Sequence, residues 1–432
     1  MGEGLISSAV GVAIVAVACY IYCFVGNKQH LSRRLKLGGV VLAIYLFSAF
    51  VSSFSFSETN FFVVFDCTHY IADYKNVTSI SSNELMDTAL KSYIDFGDNN
   101  ALYNIILHCI SYVANSYFDG VNSFYYSLLS VLFGVLSSIT LYRILSKSFN
   151  EKDAFKYTLL FSLLSLYHFY SVVIIRDICI TTFYVLSFEV IQSRFSIRGL
   201  LLLVLYMLLA WGFRLYSGLF ISLFILYYVY IPISQSKLKY VLIPIFGFIL
   251  AYVIISSMFI IDQTLDEING FMEYTQDKVD TSGGMSAKLQ KLPPGIKQIA
   301  LVFFTQILPL PPYSYFLEAN TLSQYYMALL VFIYGVFWFI VVYTFFYVMA
   351  MKKYFMILEM KDNLILLIVL AFIIANTAHP DIRRMMPVYP IIFYYYLKMK
   401  VSFNGSDWFI LTQKKIVALY CCIILLFNIV KG

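Results

Sequence analysis

The stretch from residue 154 to residue 192 reads AFKYTLLFSLLSLYHFYSVVIIRDICITTFYVLSFEVIQ and is almost continuously apolar. As a single α-helix it would reach roughly 58 Å, whereas the core of a bilayer is only roughly 30 Å thick. The chain must therefore fold back within this stretch, and the polar point at which it can turn is Arg176-Asp177. The stretch predicts two membrane helices joined by a short turn.

The rest of the chain has the same character. Of its 432 residues, 61% are hydrophobic and only 12% are charged, which excludes a soluble domain because that much apolar surface could not be hidden from water. The apolar runs are continuous rather than alternating, so they predict helices and not a β-barrel. We expect an all-α polytopic membrane protein of about twelve helices in one domain, residues 1–432. The predicted spans are 5–25, 37–56, 121–142, 157–175, 178–192, 199–213, 216–231, 240–261, 325–350, 363–378, 385–397 and 414–430.

Basic residues predict the orientation of these spans. Six loops on alternate sides of the spans hold 19 of the 30 lysines and arginines, and basic loops face the cytoplasm. Both termini and two long loops, 57–120 and 262–324, are then expected outside. The first apolar run has no basic flank before it, so we interpret it as an anchor rather than a cleaved signal.

Arginines mark three breaks on the predicted outer side. Besides Arg176, the run 199–233 breaks at Arg214, and the run 363–397 breaks just before Arg383 and Arg384. Each site opens a helix that runs inwards, where free backbone N–H groups and guanidinium forks together favour an anion. We expect a phosphate or diphosphate site there. The alternative is local pairing, of Arg176 with Asp177 and of the later arginines with Asp381, or snorkelling to lipid headgroups.

Other polar residues are assigned less directly. His379 adjoins the last arginine cluster, where it would act as a general base or hydrogen-bond a phosphate; the alternative is a capping or buried polar residue. Glu189, near the cytoplasmic end of its helix, is expected to pair with Arg194 or to snorkel. No His, Asp or Glu pair has metal-ligand spacing, so no metal and no cofactor is predicted.

Several short segments resemble the Wzy-type O-antigen and capsule repeat-unit polymerases, including relatives grouped with exopolysaccharide polymerases. They are the outer-loop segment from Asp66 to Tyr74, Arg176-Asp177, FRLYSG at 213–218 and RRMMPVYP at 383–390. The resemblance implies a metal-independent glycosyltransferase of the bacterial inner membrane, acting at the periplasmic face. Its substrates would be oligosaccharide units on undecaprenyl pyrophosphate, and a chain-length regulator is a further implied partner. Nucleic acid is not expected.

The resemblance also implies residue roles. Arg176, Arg214, Arg383 and Arg384 would hold the pyrophosphate leaving group, and His379 or Asp381 would be the base for the acceptor hydroxyl. Two other functions remain open. One is a flippase for lipid-linked oligosaccharide, which should show two similar halves and charges within its spans. The other is a transferase that adds a single sugar or acyl group.

Overall fold

The computed structural model describes residues 4–26, 30–56, 101–235, 292–293, 296, 300, 302, 311–351, 358–376, 382–403 and 407–431. Within these ranges the regular structure is helical and includes no strand. The helices are α1 (Leu5–Cys23), α2 (Leu31–Ser53), α3 (Ala101–Tyr117), α4 (Ser123–Ser148), α5 (Glu151–Leu164), α6 (Leu166–Val172), α7 (Asp177–Ile191), α8 (Ile197–Phe213), α9 (Leu215–Gln235), α10 (Ser314–Glu318), α11 (Leu322–Met351), α12 (Met360–Asn376), the 3-10 helix Ile382–Val388, α13 (Tyr389–Ser402) and α14 (Asp407–Lys431).

Five of these helices are long and apolar enough to cross a membrane. They are Leu5–Cys23, Leu31–Ser53, Ser123–Ser148, Leu322–Met351 and, within α14, Asp407–Leu426. Two shorter apolar helices, Ile197–Phe213 and Ser217–Ile233, fall below the length of a full crossing. The expected all-helical membrane class is confirmed at this level, whereas the number of twelve spans stays a prediction. The span expected at 240–261 and most of both long outer loops lie outside the described residues.

Helix α4 is the centre of the bundle, with α1, α2, α5, α6 and α7 packed around it. Its N-terminus is capped by Asn122, whose side chain accepts the backbone N–H of Tyr125 at 2.8 Å. Small residues allow close approach to its neighbours. A Cβ added at Gly134 would collide with Ser171 of α6 and come within 3.0 Å of the Tyr45 ring of α2. A larger residue here would push α6 away from the core.

Two expected helices differ in the structure. The span predicted at 157–175 is interrupted at Ser165, whose extended backbone ends α5 and begins α6. The span predicted at 385–397 begins instead with the 3-10 helix, and α13 starts at Tyr389. Pro387 and Pro390 explain this second difference because proline lacks the backbone N–H that an α-helix needs after its first turn.

The basic loops assigned to the cytoplasm meet at one end of the bundle. His30 and Arg33, at the start of α2, both contact Glu151 at the start of α5. At the same end, Lys147 Nζ donates to Ser193 Oγ at 3.2 Å and Lys398 Nζ lies 2.7 Å from Asp362 Oδ2. These contacts involve the basic segments 27–37, 143–156 and 398–415, and the residues directly beside the basic segments 194–198 and 352–361. Their common position agrees with the alternation along the chain. The compartment that this end faces remains a prediction.

The opposite end holds the start of α1. The carboxylate of Asp119 accepts the backbone N–H groups of Ile6 and Ser7 at 2.8 and 2.9 Å, and the Ser7 hydroxyl at 2.9 Å. Desolvation tends to raise the pKa of Asp119, but these hydrogen bonds outweigh it and lower the pKa to about 2. Asp119 thus caps a helix 112 or 113 positions away in the sequence.

Candidate functional site

Arg176 lies at the N-terminus of α7, as the sequence predicts. It is the N-cap residue, and the backbone N–H groups of Cys179 and Ile180 bond to its carbonyl at 3.0 and 3.2 Å. Its half-buried guanidinium donates from one terminal nitrogen to the carbonyl oxygen of Phe213 at 3.2 Å. Arg176 therefore ties the start of α7 to the end of α8, where the second arginine site begins.

Arg214 stands between α8 and α9 and is almost fully buried. Its backbone is extended, which separates the two helices, and its carbonyl accepts the N–H of Ser217 at 2.9 Å. Its guanidinium lies 2.8 Å from Asp177 Oδ1, and the side chains of the two residues are 5% and 1% exposed. Asp177 pairs with this distant arginine rather than with its neighbour Arg176, so the local pairing considered for Arg176 is not the one that forms.

The third arginine site packs against the same helix. Arg383 and Arg384, both half-buried, lie in the 3-10 helix that contacts α7. Phe188 of α7 and Tyr394 of α13 touch, with ring centroids 5.3 Å apart. From that contact, the axial rise back to Asp177 is about 16 Å, and the rise back to Arg384 is about 18 Å. If the axes of α7 and α13 are parallel, these rises put the third site level with the first residue of α7.

The structure therefore brings the first two arginine sites together at the start of α7, and it packs the 3-10 helix that carries the third site against the same helix. An aromatic cluster lies beneath the first two: the Phe213 ring sits 5.8 Å from Phe183 and 6.3 Å from Phe133 between centroids. Tyr103 of α3 adds a fourth ring, 6.1 Å from Phe213, and is completely buried. Because α3 lies in the segment 57–120, which is predicted to be outside, this contact brings that segment to the Arg214 end of α8.

Electrostatics at the third site favour an anion. Burial lowers the pKa of Arg383 to about 10, and repulsion from Arg384 acts in the same direction. A guanidinium with that pKa is still charged at neutral pH, so two like charges stand side by side in a partly desolvated place. A bound anion would relieve the repulsion, and guanidinium forks match the paired oxygens of a phosphate.

Two predicted residues cannot be placed. The base candidates His379 and Asp381 lie outside the described residues, so their roles stay predictions. Within the part of the chain that the structure describes, there is no group of three His, Cys, Asp or Glu side chains that could hold a metal ion. Metal independence likewise stays a prediction.

The expected partner of Glu189 was wrong. Arg143, not Arg194, holds it: Arg143 Nε and one terminal nitrogen donate to the two carboxylate oxygens at 2.8 and 2.6 Å. Arg143 also donates to the Tyr22 hydroxyl at 2.7 Å and to the Val25 carbonyl at 3.2 Å. This bidentate pair lies at the end of the bundle opposite the arginine cluster. It joins α1, α4 and α7, which is a structural role.

Asp177 is the site residue that the sequence did not assign. Its only sequence signal is an acidic residue directly after Arg176, and that signal points equally to a local ion pair.

A comparison of the chain with protein-family models, with curated proteins and with solved structures found no match in any of the three. Function therefore has to be inferred from the site itself.

Proposed function

We propose that this protein polymerises oligosaccharide repeat units carried on undecaprenyl pyrophosphate, at the periplasmic face of a bacterial inner membrane. One observation carries the proposal: two arginine sites meet at the start of α7, and the 3-10 helix that carries the third packs against the same helix. Arg176, Arg383 and Arg384 keep part of their surface exposed there. A cluster of cations at the ends of apolar helices suits a ligand that has an anionic head and an apolar chain.

The proposed reaction moves one glycosyl chain. A hydroxyl of the acceptor unit attacks the anomeric carbon of the donor chain, and a new glycosidic C–O bond forms. The bond between that carbon and the phosphate oxygen breaks, and undecaprenyl pyrophosphate leaves with the bonding electrons. The acceptor proton passes to a base, for which His379 and Asp381 are the candidates. Guanidinium groups stabilise the charge that develops on the leaving oxygen, and removal of one such donor typically lowers the rate by roughly 10²–10³-fold.

The buried arginine has a different part in this scheme. Arg214 is only 4% exposed as a residue and is paired with Asp177, so its charge is largely offset before any ligand binds. We assign to this pair the task of joining the starts of α7 and α9. The arginines proposed to contact the pyrophosphate are then Arg176, Arg383 and Arg384, each of which is partly exposed.

The test compares arginines at the two ends of the bundle. Arg176→Ala and Arg383→Ala are made in the full chain, and the exposed Arg198→Ala, at the cytoplasmic end, is the matched control. Each protein is supplied with undecaprenyl-pyrophosphate-linked repeat units in vesicles, and the products are separated on a gel. We expect a polymer ladder from the unsubstituted protein and from Arg198→Ala, and loss of about 99% of the ladder from the other two.

The other functions give different products. Addition of one unit without a ladder would identify a single-addition transferase, and translocation without bond formation would identify a flippase. Unchanged ladders from both Arg176→Ala and Arg383→Ala would refute the proposed site.

A further inference from the structure

The break at Ser165 divides the chain segment that leads to Arg176. The Ser165 backbone is extended, with φ −93° and ψ 171°. Its N–H donates to the carbonyl of Phe161 at 3.1 Å, which ends α5, and its hydroxyl accepts the N–H of Tyr167 at 3.2 Å, which begins α6. A helix that ends inside a buried bundle leaves carbonyl groups in its last turn that need other donors.

Two side chains supply those donors. The hydroxyl of Tyr45, on α2, donates to the carbonyl of Ser162 at 2.8 Å. The Nδ1 atom of His168 lies 3.2 Å from the carbonyl of Leu163, and because a carbonyl only accepts, this nitrogen carries the proton. The two rings also stack, with centroids 5.1 Å apart and planes 24° apart. Tyr45 and His168 are both buried, so no solvent competes for these carbonyls.

The far side of the imidazole is held as well. The Ser48 hydroxyl, on α2, lies 2.9 Å from His168 Nε2 and 2.6 Å from the hydroxyl of Tyr326 on α11. The Nε2 side of the ring is thus held by α2, and α11 in turn holds Ser48; neither helix belongs to the broken segment. The bend at Ser165 is built into the packing of α2, α5, α6 and α11.

The direction of the chain at Ser165 affects the position of Arg176, because only a short segment joins the two residues. Eleven residues, 166–176, separate the break from the guanidinium that bonds to Phe213. The seven residues of α6 rise about 10 Å, and the four non-helical residues that follow can add up to about 13 Å. A change of 10° at the break therefore moves the far end of the segment by about 3–4 Å. A shift of that size exceeds the tolerance of a hydrogen bond, so the contact of Arg176 with the end of α8 would be lost.

We propose that Tyr45 and His168 are positioning residues, which cap the broken end of α5 and thereby place Arg176 in the arginine cluster. The expected changes in pyrophosphate binding, KM and kcat rest on the proposed function, whereas the expected displacement of Arg176 does not. Neither residue touches the substrate. Both act through the direction of the segment 166–176.

The experiment separates positioning from general loss of stability. Tyr45→Phe removes only one hydroxyl, His168→Leu removes the donor, and His168→Asn keeps an amide N–H near the place of Nδ1. Tyr22→Phe is the matched control, because it also removes a hydrogen-bonded hydroxyl but at the opposite end of the bundle. For each full-length protein in nanodiscs we would measure the dissociation constant of inorganic pyrophosphate, KM and kcat for the lipid-linked substrate, and the unfolding temperature.

We expect Tyr45→Phe and His168→Leu to weaken pyrophosphate binding and raise KM about tenfold. His168→Asn should stay within about threefold of the unsubstituted protein, and Tyr22→Phe should keep full affinity even where its unfolding temperature falls equally. Unchanged affinity in both Tyr45→Phe and His168→Leu would overturn the proposal. If the unsubstituted protein binds no pyrophosphate, the proposed function fails. An experimental structure of Tyr45→Phe then decides whether Tyr45 positions Arg176. Displacement of Arg176 from the Phe213 carbonyl supports positioning, and an unchanged contact overturns it.

Discussion

Replacing Asp177 with asparagine tests the ion pair at the centre of the arginine cluster. Asparagine keeps the size of the side chain but removes the charge that faces Arg214 at 2.8 Å. Because the two side chains are 1% and 5% exposed, solvent screens the pair little. Removing one partner of a buried ion pair typically costs about 3–5 kcal/mol, since the other charge stays in a place of low polarity. That cost corresponds to a shift of roughly 150- to 5,000-fold in the unfolding equilibrium.

Equilibrium unfolding in detergent micelles would measure this cost. The chain has three tryptophans, and one of them, Trp211, lies in the last turn of α8 beside Arg214 and reports by fluorescence. Asp407→Asn, which changes an exposed carboxylate at the start of α14, is the control. The double variant Asp177→Leu with Arg214→Met should recover most of the lost stability, because apolar residues can replace a buried pair. A cost below about 1 kcal/mol for Asp177→Asn, a value typical of exposed pairs, would refute the assignment of a buried, structural pair.

Three further predictions concern other contacts. Gly134→Ala should destabilise the protein by about 1–3 kcal/mol in the same unfolding assay, because its Cβ collides with Ser171; a neutral effect would show that α6 adapts freely. Glu189→Gln should lower stability by about 3 kcal/mol, because it leaves Arg143 without its carboxylate, while ladder length stays normal; a lost ladder at full stability would instead give Glu189 a functional role. The pKa of Asp119 is depressed from 3.8 to about 2, so its contribution to stability is present above about pH 4 and is lost as the pH falls to about 2. Asp119→Asn should remove that part of the pH dependence of the unfolding temperature, and an unchanged acid profile would contradict the capping role.

Sequence patterns predicted the class of the protein because the membrane imposes them on every helix. The lengths of apolar runs and the side preference of basic residues are local properties, so they can be read without a fold. The turns at Arg176 and Arg214 follow in the same way, because a run twice the thickness of the bilayer must fold back. That reasoning needs no knowledge of which helices touch.

Contacts between distant residues were not predictable in this way. Asp177 and Arg214 are 37 positions apart, and Arg143 and Glu189 are 46 apart. In each case a nearer arginine offered an equally plausible partner, and only the packing of α4, α7 and α9 chooses between them. A local ion-pair rule therefore favours the wrong arginine wherever helices bring remote charges together.

The break at Ser165 shows a second limit. Breaks in membrane helices usually carry proline or glycine, and this one carries neither. Serine does have a signal, since its side chain caps helix starts, but the sequence has many serines within apolar runs. The break falls at Ser165 because Tyr45, on α2, and His168, on α6, donate hydrogen bonds to the last carbonyl groups of α5. Such a break becomes predictable only when its capping partners are known.

The contacts of α1 carry a consequence for the order in which the protein is made. Asp119 holds its first turn, and Arg143 holds the segment just after its last turn through the Val25 carbonyl, 118 positions later in the chain. At roughly 5–20 residues per second, a ribosome reaches Arg143 about 6–24 s after it has passed Val25. Asp119 is made before Arg143 but also well after α1, so for most of that interval neither residue is available to hold the first helix. The first helix is therefore fixed in its final position in the bilayer only late in synthesis, after α4 has emerged from the ribosome.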